Sequence, residues 1–207
     1  MSAFTVEVED LRSAFTAVLP HVSADKKNRQ LRRVRLTPFG QNLEITATDR
    51  YTIGLGLVSI WESDGEAEVI DLDPLEVQQI LTVFTPPPQG EESAIEVRIT
   101  TAELTLTDVG GLIDGKSLTL PRVTADEGYP SLRNTFVGRL HGAPQVTGAA
   151  WFHAKHLARF QAAQRVYGHP LVIDRTPGPA TMWSVRCGES FIGLISPVHP
   201  DEDALAE

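Results

Sequence analysis

A chain of 207 residues, 42% hydrophobic and 22% charged, can bury a sizeable core and has the make-up of a soluble globular protein. Its apolar runs are far too short to span a membrane, MSAFTVEVED has no secretion-signal pattern, and the lone Cys187 excludes an intramolecular disulfide and a cysteine-rich zinc site. A cytoplasmic location is the expectation. A net charge of −9 argues against a protein that coats nucleic acid with its whole surface, yet Lys26, Lys27, Arg29, Arg32, Arg33 and Arg35 cluster, while Trp61 to Asp108 is acidic with Arg98 as its one cation.

In chain order, Phe4 to Val8 reads as a strand, and Asp10 can cap a helix whose apolar face is Leu11, Ala14, Phe15, Val18 and Leu19, ended by Pro20. Leu31 to Leu36 and Leu43 to Val58 read as strands around a PFGQN turn, and Leu43, Ile45 and Ala47 alternate with Glu44 and Thr46. Thr48, Asp49, Arg50 and Tyr51 break that alternation. After an acidic loop, Val69 to Leu72 is extended. A second helix is expected from Asp73 to Phe84, with Asp73 as N-cap and Pro74 at the first helical position, stopped by TPPPQGEE.

Ala94 to Thr100, Glu103 to Asp108 and Lys116 to Arg122 alternate as strands, and 124–147, rich in Gly, Pro and polar residues, reads as a connector. A third helix is expected from Trp151 to about Tyr167, then strands at Leu171 to Asp174, Thr181 to Cys187 and Ser190 to Ile195, and a loose acidic tail over 201–207. The expected units are therefore 1–123, the connector, a smaller 148–200 and the tail. A strand-helix-strands module recurs about three times, with no convincing repeat at residue level.

The motifs ATDRY at 47–51, YPSL at 129–132 and ISPVH at 195–199 together resemble the bacterial DNA polymerase III β sliding clamp family. Residues 4–136 look like the clamp's middle domain and 148–199 like the second half of its third domain, as in a truncated clamp. The resemblance implies an α+β, DNA-clamp-like fold: antiparallel sheets with helices on one face, about one and a half clamp domains. It also implies a protein that is not an enzyme, a processivity factor tethering polymerase or repair proteins.

In that family the groove between middle and third domains receives a short motif, roughly Gln-Leu-x-Leu-Phe. The matching positions are Leu31, Thr48, Arg50, Tyr51, Thr52 and Ile53, with Pro130 and Thr135 as a linker wall and Leu194, Ser196, Pro197, Val198 and His199 as the C-terminal wall. Thr52 stands where the family usually has Arg, and Ser196 where it usually has Met, so a different preferred peptide is expected. Double-stranded DNA is the other implied partner, through Lys26, Lys27 and Arg29 after the first helix and Lys155, Arg159 and Arg165 on the third. Asp71, Asp73 and Glu76 oppose this at the start of the second helix.

Three modules per chain would tile the family's twelve-module ring with four chains, so a homo-oligomeric ring is one expectation. The alternative is a peptide-binding adaptor or competitor that never encircles DNA. No cofactor motif is present. His153 and His156 lie three apart without an evident third metal ligand; the pairs Asp71 with Asp73 and Glu91 with Glu92 lack a nucleophilic partner; and Cys187 reads as a buried structural thiol.

Overall fold

The computed structural model describes residues 2–65, 68–86, 93–113, 115–122, 128–140, 150–177 and 182–198. The backbone starts with strand β1 (Ser2–Glu7), which leads directly into helix α1 (Val8–Val18). The helix begins two residues before the expected cap, so Asp10 lies in its first turn and Glu7 is the N-cap, without a side-chain hydrogen bond. Val8 enters the helix because it completes the buried stripe of Leu11, Ala14, Phe15 and Val18. Single 3-10 turns follow at Leu19–His21 and Arg29–Leu31.

Strands β2 (Val34–Phe39), β3 (Asn42–Thr48), β4 (Thr52–Asp64) and β5 (Ile70–Leu72) come next, then α2 (Pro74–Val83). Asp73 caps α2 as expected, in a reciprocal capping box. Its carboxylate accepts from Leu75 N at 2.9 Å, and Glu76 Oε2 accepts from Asp73 N at 2.7 Å. At the other end, Arg12 of α1 donates to the carbonyls of Leu81 and Phe84, which the helix itself leaves unsatisfied. Strands β6 (Ala94–Ile99), β7 (Glu103–Asp108) and β8 (Ser117–Pro121) then form a meander.

The stretch expected to be a connector contains helix α3 (Leu132–Leu140). Its Gly and polar content suggested loop, but Leu132 and Phe136, four apart, give it one apolar side to bury. The third predicted helix is divided: Trp151 makes an isolated bridge to Val198, α4 is Ala154–Leu157, Ala158–Phe160 is a 3-10 turn, and α5 is Gln161–Tyr167. Gly168, at φ +68°, closes α5 in the left-handed conformation. Strands β9 (Leu171–Arg175), β10 (Trp183–Cys187) and β11 (Phe191–Ile195) complete the chain.

All the strand pairs are antiparallel, in the order β5-β2-β3-β4-β1-β6-β7-β8. The long β4 holds the fold together, since its second half pairs with β1 and its first half pairs with β11, with Ile53 opposite Leu194 and Gly54 opposite Gly193. The expected boundary between 1–123 and 148–200 therefore separates stretches of sequence but not cores. Phe160, Ala163, Val185, Cys187 and Phe191 share one apolar cluster with Phe4, Leu11, Phe15 and Val58. Cys187 is buried there, and burial pushes its thiol pKa up.

Strand alternation gives β4 two faces. Gly54, Gly56 and Val58 turn to the main core: a Cβ on Gly54 would stand 2.6 Å from the His21 ring, and one on Gly56 2.9 Å from Ala14 of α1. Ile53, Leu55 and Leu57 turn the other way, into a small separate cluster with Tyr129, Leu132, Phe136 and Leu194. Helix α1 covers the first face, with α5 beside it over β10, and α3 covers the second. No helix among the described residues is long and apolar enough to cross a membrane.

Candidate peptide-binding site

Pairing of β11 with β4 brings two distant stretches of sequence together, the turn Thr48–Ile53 and the segment Leu194–Val198. The turn is built around Asp49. Its Oδ1 accepts from Tyr51 N at 3.1 Å, Thr52 N at 2.8 Å and Thr52 Oγ1 at 3.0 Å, while Thr48 Oγ1 donates to Thr52 O at 2.8 Å. Arg50 takes φ +83°, the only positive φ of a non-glycine residue among those described. Thr48 Oγ1, accepting from Arg50 N at 3.1 Å, helps hold that conformation.

The cation facing Asp49 comes from far along the chain. Arg159 pairs with Asp49 Oδ2 and also donates to Thr52 Oγ1 at 2.9 Å. Burial works against the charged form of Asp49, but the hydrogen bonds from Thr52 and the charge of Arg159 outweigh it, so its pKa lies below the usual carboxylate range. Arg159 was expected among the DNA-facing cations. The structure instead directs it into this turn, so a guanidinium approaches Thr52, where the resemblance had counted an arginine as lost.

On the other side, Ser196 N donates to Tyr51 O and Val198 N to Trp151 O, each at 2.9 Å. Tyr51 is 54% exposed and stacks on His156 with ring centroids 5.0 Å apart; Trp151 is also exposed. His153 meets His156 edge-on, with His156 buried beneath the exposed Tyr51 ring, and no group of three metal-ligating side chains occurs among the described residues. Burial lowers the pKa of His156. Arg50 points back toward the basic loop, where the Asn28 amide, in the orientation that satisfies both groups, accepts from it at 2.6 Å. Leu31 is buried one turn beyond Asn28.

The linker positions approach from the second face of the sheet. Tyr129 O–H donates to Thr46 O at 3.3 Å under the Arg35 guanidinium, and Arg133 pairs with Glu44 while stacking on Phe39. Pro130 borders a cavity of about 160 Å³ between Tyr129 and β2–β3, and Thr135 is on α3. His199 lies outside the described residues. The apolar floor expected of an open groove is closed: Ile53 is 6% and Leu194 0% exposed, because Leu132 and Phe136, each 5% exposed, pack against them. Sequence reading missed Leu132 and Phe136. Their i, i+4 spacing next to YPSL was the available signal.

Of the remaining cations named as DNA contacts, Lys26, Lys27, Arg29, Lys155 and Arg165 are exposed. Lys26 and Arg29, with Arg32 and Arg33, border a depression of about 430 Å³ beside Asp71, Leu72 and Asp73. The acidic start of α2 proves to be structural. Asp71 is buried and receives Arg35 Nε at 2.7 Å, Arg35 Nη2 at 2.9 Å and Arg33 Nη1 at 3.2 Å, while Asp73 and Glu76 form the capping box.

This architecture matches solved structures along almost the whole chain. The match to the DNA polymerase sliding clamp from Bacillus subtilis has a TM-score of 0.64 over 95% of this chain, at 12% identity. The DNA polymerase III β subunit from Thermotoga maritima gives 0.66 over 100%, at 15%, and the sliding clamp from Pseudomonas aeruginosa gives 0.63 over 99%, at 16%. The chain has the sliding-clamp fold. It spans 64%, 68% and 67% of those three clamp chains. No family model matches the sequence, and no curated protein does. Within the clamp fold, the junction of β4 and β11 is the place where the Thr48–Ile53 turn meets the C-terminal strand.

Proposed function

We propose that this protein works as a clamp-like tether, binding polymerase or repair proteins through a linear motif at the junction of Thr48–Ile53 with Leu194–Val198, and holding them on DNA. The observation that supports this best is that junction itself: two segments more than a hundred residues apart form one short wall of backbone, hydroxyl and apolar groups within a sliding-clamp fold. Leu and Phe anchors buried against Ile53, Leu55 and Leu194 would contribute about 3–6 kcal/mol before ordering costs, which suits exchangeable binding. The tether is not itself an enzyme. Duplex DNA is held, independently of sequence, by Lys26, Lys27 and Arg29, with Lys155 and Arg165 on the later helices, in a homo-oligomeric ring.

The second reading is an adaptor or competitor that never encircles DNA. It is favoured by the engagement of Arg159 with Asp49, which leaves the later helices fewer outward cations. The two readings separate by light scattering and by retention on circular duplex DNA across a salt series. A concentration-independent oligomer whose DNA retention is lost on changing Lys26, Lys27 and Arg29 to Glu sustains the tether. A monomer indifferent to those changes leaves the adaptor. The cleft itself is tested by binding a labelled Gln-Leu-Ser-Leu-Phe peptide: substituting Tyr51 and Pro197 by Ala should weaken binding without lowering Tm, and unchanged affinity would refute the assignment.

A further inference from the structure

We propose that helix α3 is an internal latch on this cleft, a segment of the chain itself that a partner's Leu- and Phe-bearing peptide must displace. The inference rests on the peptide-cleft reading above. With Ile53 and Leu194 almost without exposed surface, no apolar anchor can reach them unless a covering group moves. The covering groups are Leu132 and Phe136, on one side of α3, and they present the same anchor chemistry that the cleft would recognise in a partner.

The attachment of α3 is lopsided. Its N-terminal part is tied down through Tyr129 to Thr46 and through Arg133 to Glu44 and Phe39. Towards its C-terminus Val137 and Leu140 are exposed, and a Cβ added at Gly138 would meet no atom within 4 Å. A helix of nine residues with Asn, Thr, Val and Gly in its interior does not hold its shape alone, so this patch is what keeps it closed. Opening it leaves the main core intact, because Leu132 and Phe136 belong to the small cluster. The affinity measured for a partner is then reduced by the fraction of molecules with the latch open.

The test titrates the 207-residue chain with a fluorescein-labelled Gln-Leu-Ser-Leu-Phe peptide, read by anisotropy, alongside hydrogen exchange of residues 132–140. Phe136→Ser removes an anchor of the latch and should tighten binding about 3–6-fold. Gly138→Ala strengthens the helix at a position where nothing clashes and should weaken binding about 2–5-fold. Saturating peptide should accelerate exchange over 132–140. Binding by the wild type that both variants leave unchanged overturns the latch while the cleft reading stands, and so does greater protection of 132–140 with peptide. Absence of binding by wild type and Phe136→Ser alike overturns both. Should Phe136→Ser fail to fold, Gly138→Ala and the exchange data decide.

Discussion

The two faces of strand β4 are built to different standards. The face toward α1 is packed so closely that glycine is required at Gly54 and at Gly193, its partner on β11: a Cβ on Gly193 would come within 2.3 Å of the Phe160 ring and 2.8 Å of Ile53 O. The fully buried His21 ring fills the space at Gly54, 4.7 Å from Phe160. On the other face one short helix places two anchors among apolar residues of β4 and β11, beside the Arg133–Glu44 ion pair, which remains partly exposed. The first arrangement allows no local motion without global loss. The second belongs to a small cluster separate from the main core, the arrangement that the proposed latch requires.

Truncating one aromatic ring on each face should expose this difference most clearly. Phe160→Ala should cost about 3–5 kcal/mol, as for a large ring removed from a filled core. Phe136→Ala should cost about 1 kcal/mol, since the loss cannot exceed the free energy of opening α3 locally. Urea denaturation of both variants checks the ranking, and equal losses would mean that the faces share one cooperative unit. Next in size is Arg159→Met, which leaves the Asp49 carboxylate buried without its cation and should cost about 2–3 kcal/mol. Its peptide affinity should fall as well, because Asp49 shapes the Thr48–Ile53 turn.

Acid should act on the packed face. Burial holds the pKa of His21 down at about 3, from an ordinary 6.5. Between those values the unfolded chain binds a proton that the folded one refuses, so this contribution to stability is full above pH 6.5 and declines as pH falls towards 3. By pH 5 the loss should be about 2 kcal/mol. Asp49, with its lowered pKa, adds a loss of the same sign at the acid end. Thermal melts from pH 7 to 4 should show Tm falling steadily. His21→Leu should flatten that slope, and a slope unchanged in the variant would assign the acid lability elsewhere.

Much of this was readable from local signals. Alternation at Leu43–Ala47 marked β3, Asp73-Pro74 marked the start of α2, and the three motifs pointed to the fold that the whole chain proves to have. Local signals erred where a residue's role is set by a partner distant in the chain. Asp10 looked like a cap, yet Val8 was drawn into the helix by the core. Arg159 looked like a surface cation, yet its partner is 110 residues upstream.

What the sequence determined by itself is the set of pieces: amphipathic strands and helices, a polar turn at Thr48–Tyr51, a basic loop and an acidic one. These follow from side-chain periodicity and backbone preference, which act within a few residues. Only the tertiary structure decided that the last three strands share the core of the first eight, that the acids at 71, 73 and 76 are neutralised or capping, and that α3 packs beside Ile53 and Leu194. Those outcomes depend on which surfaces meet across long separations, where the free energy of burial is a property of the pair and not of either segment.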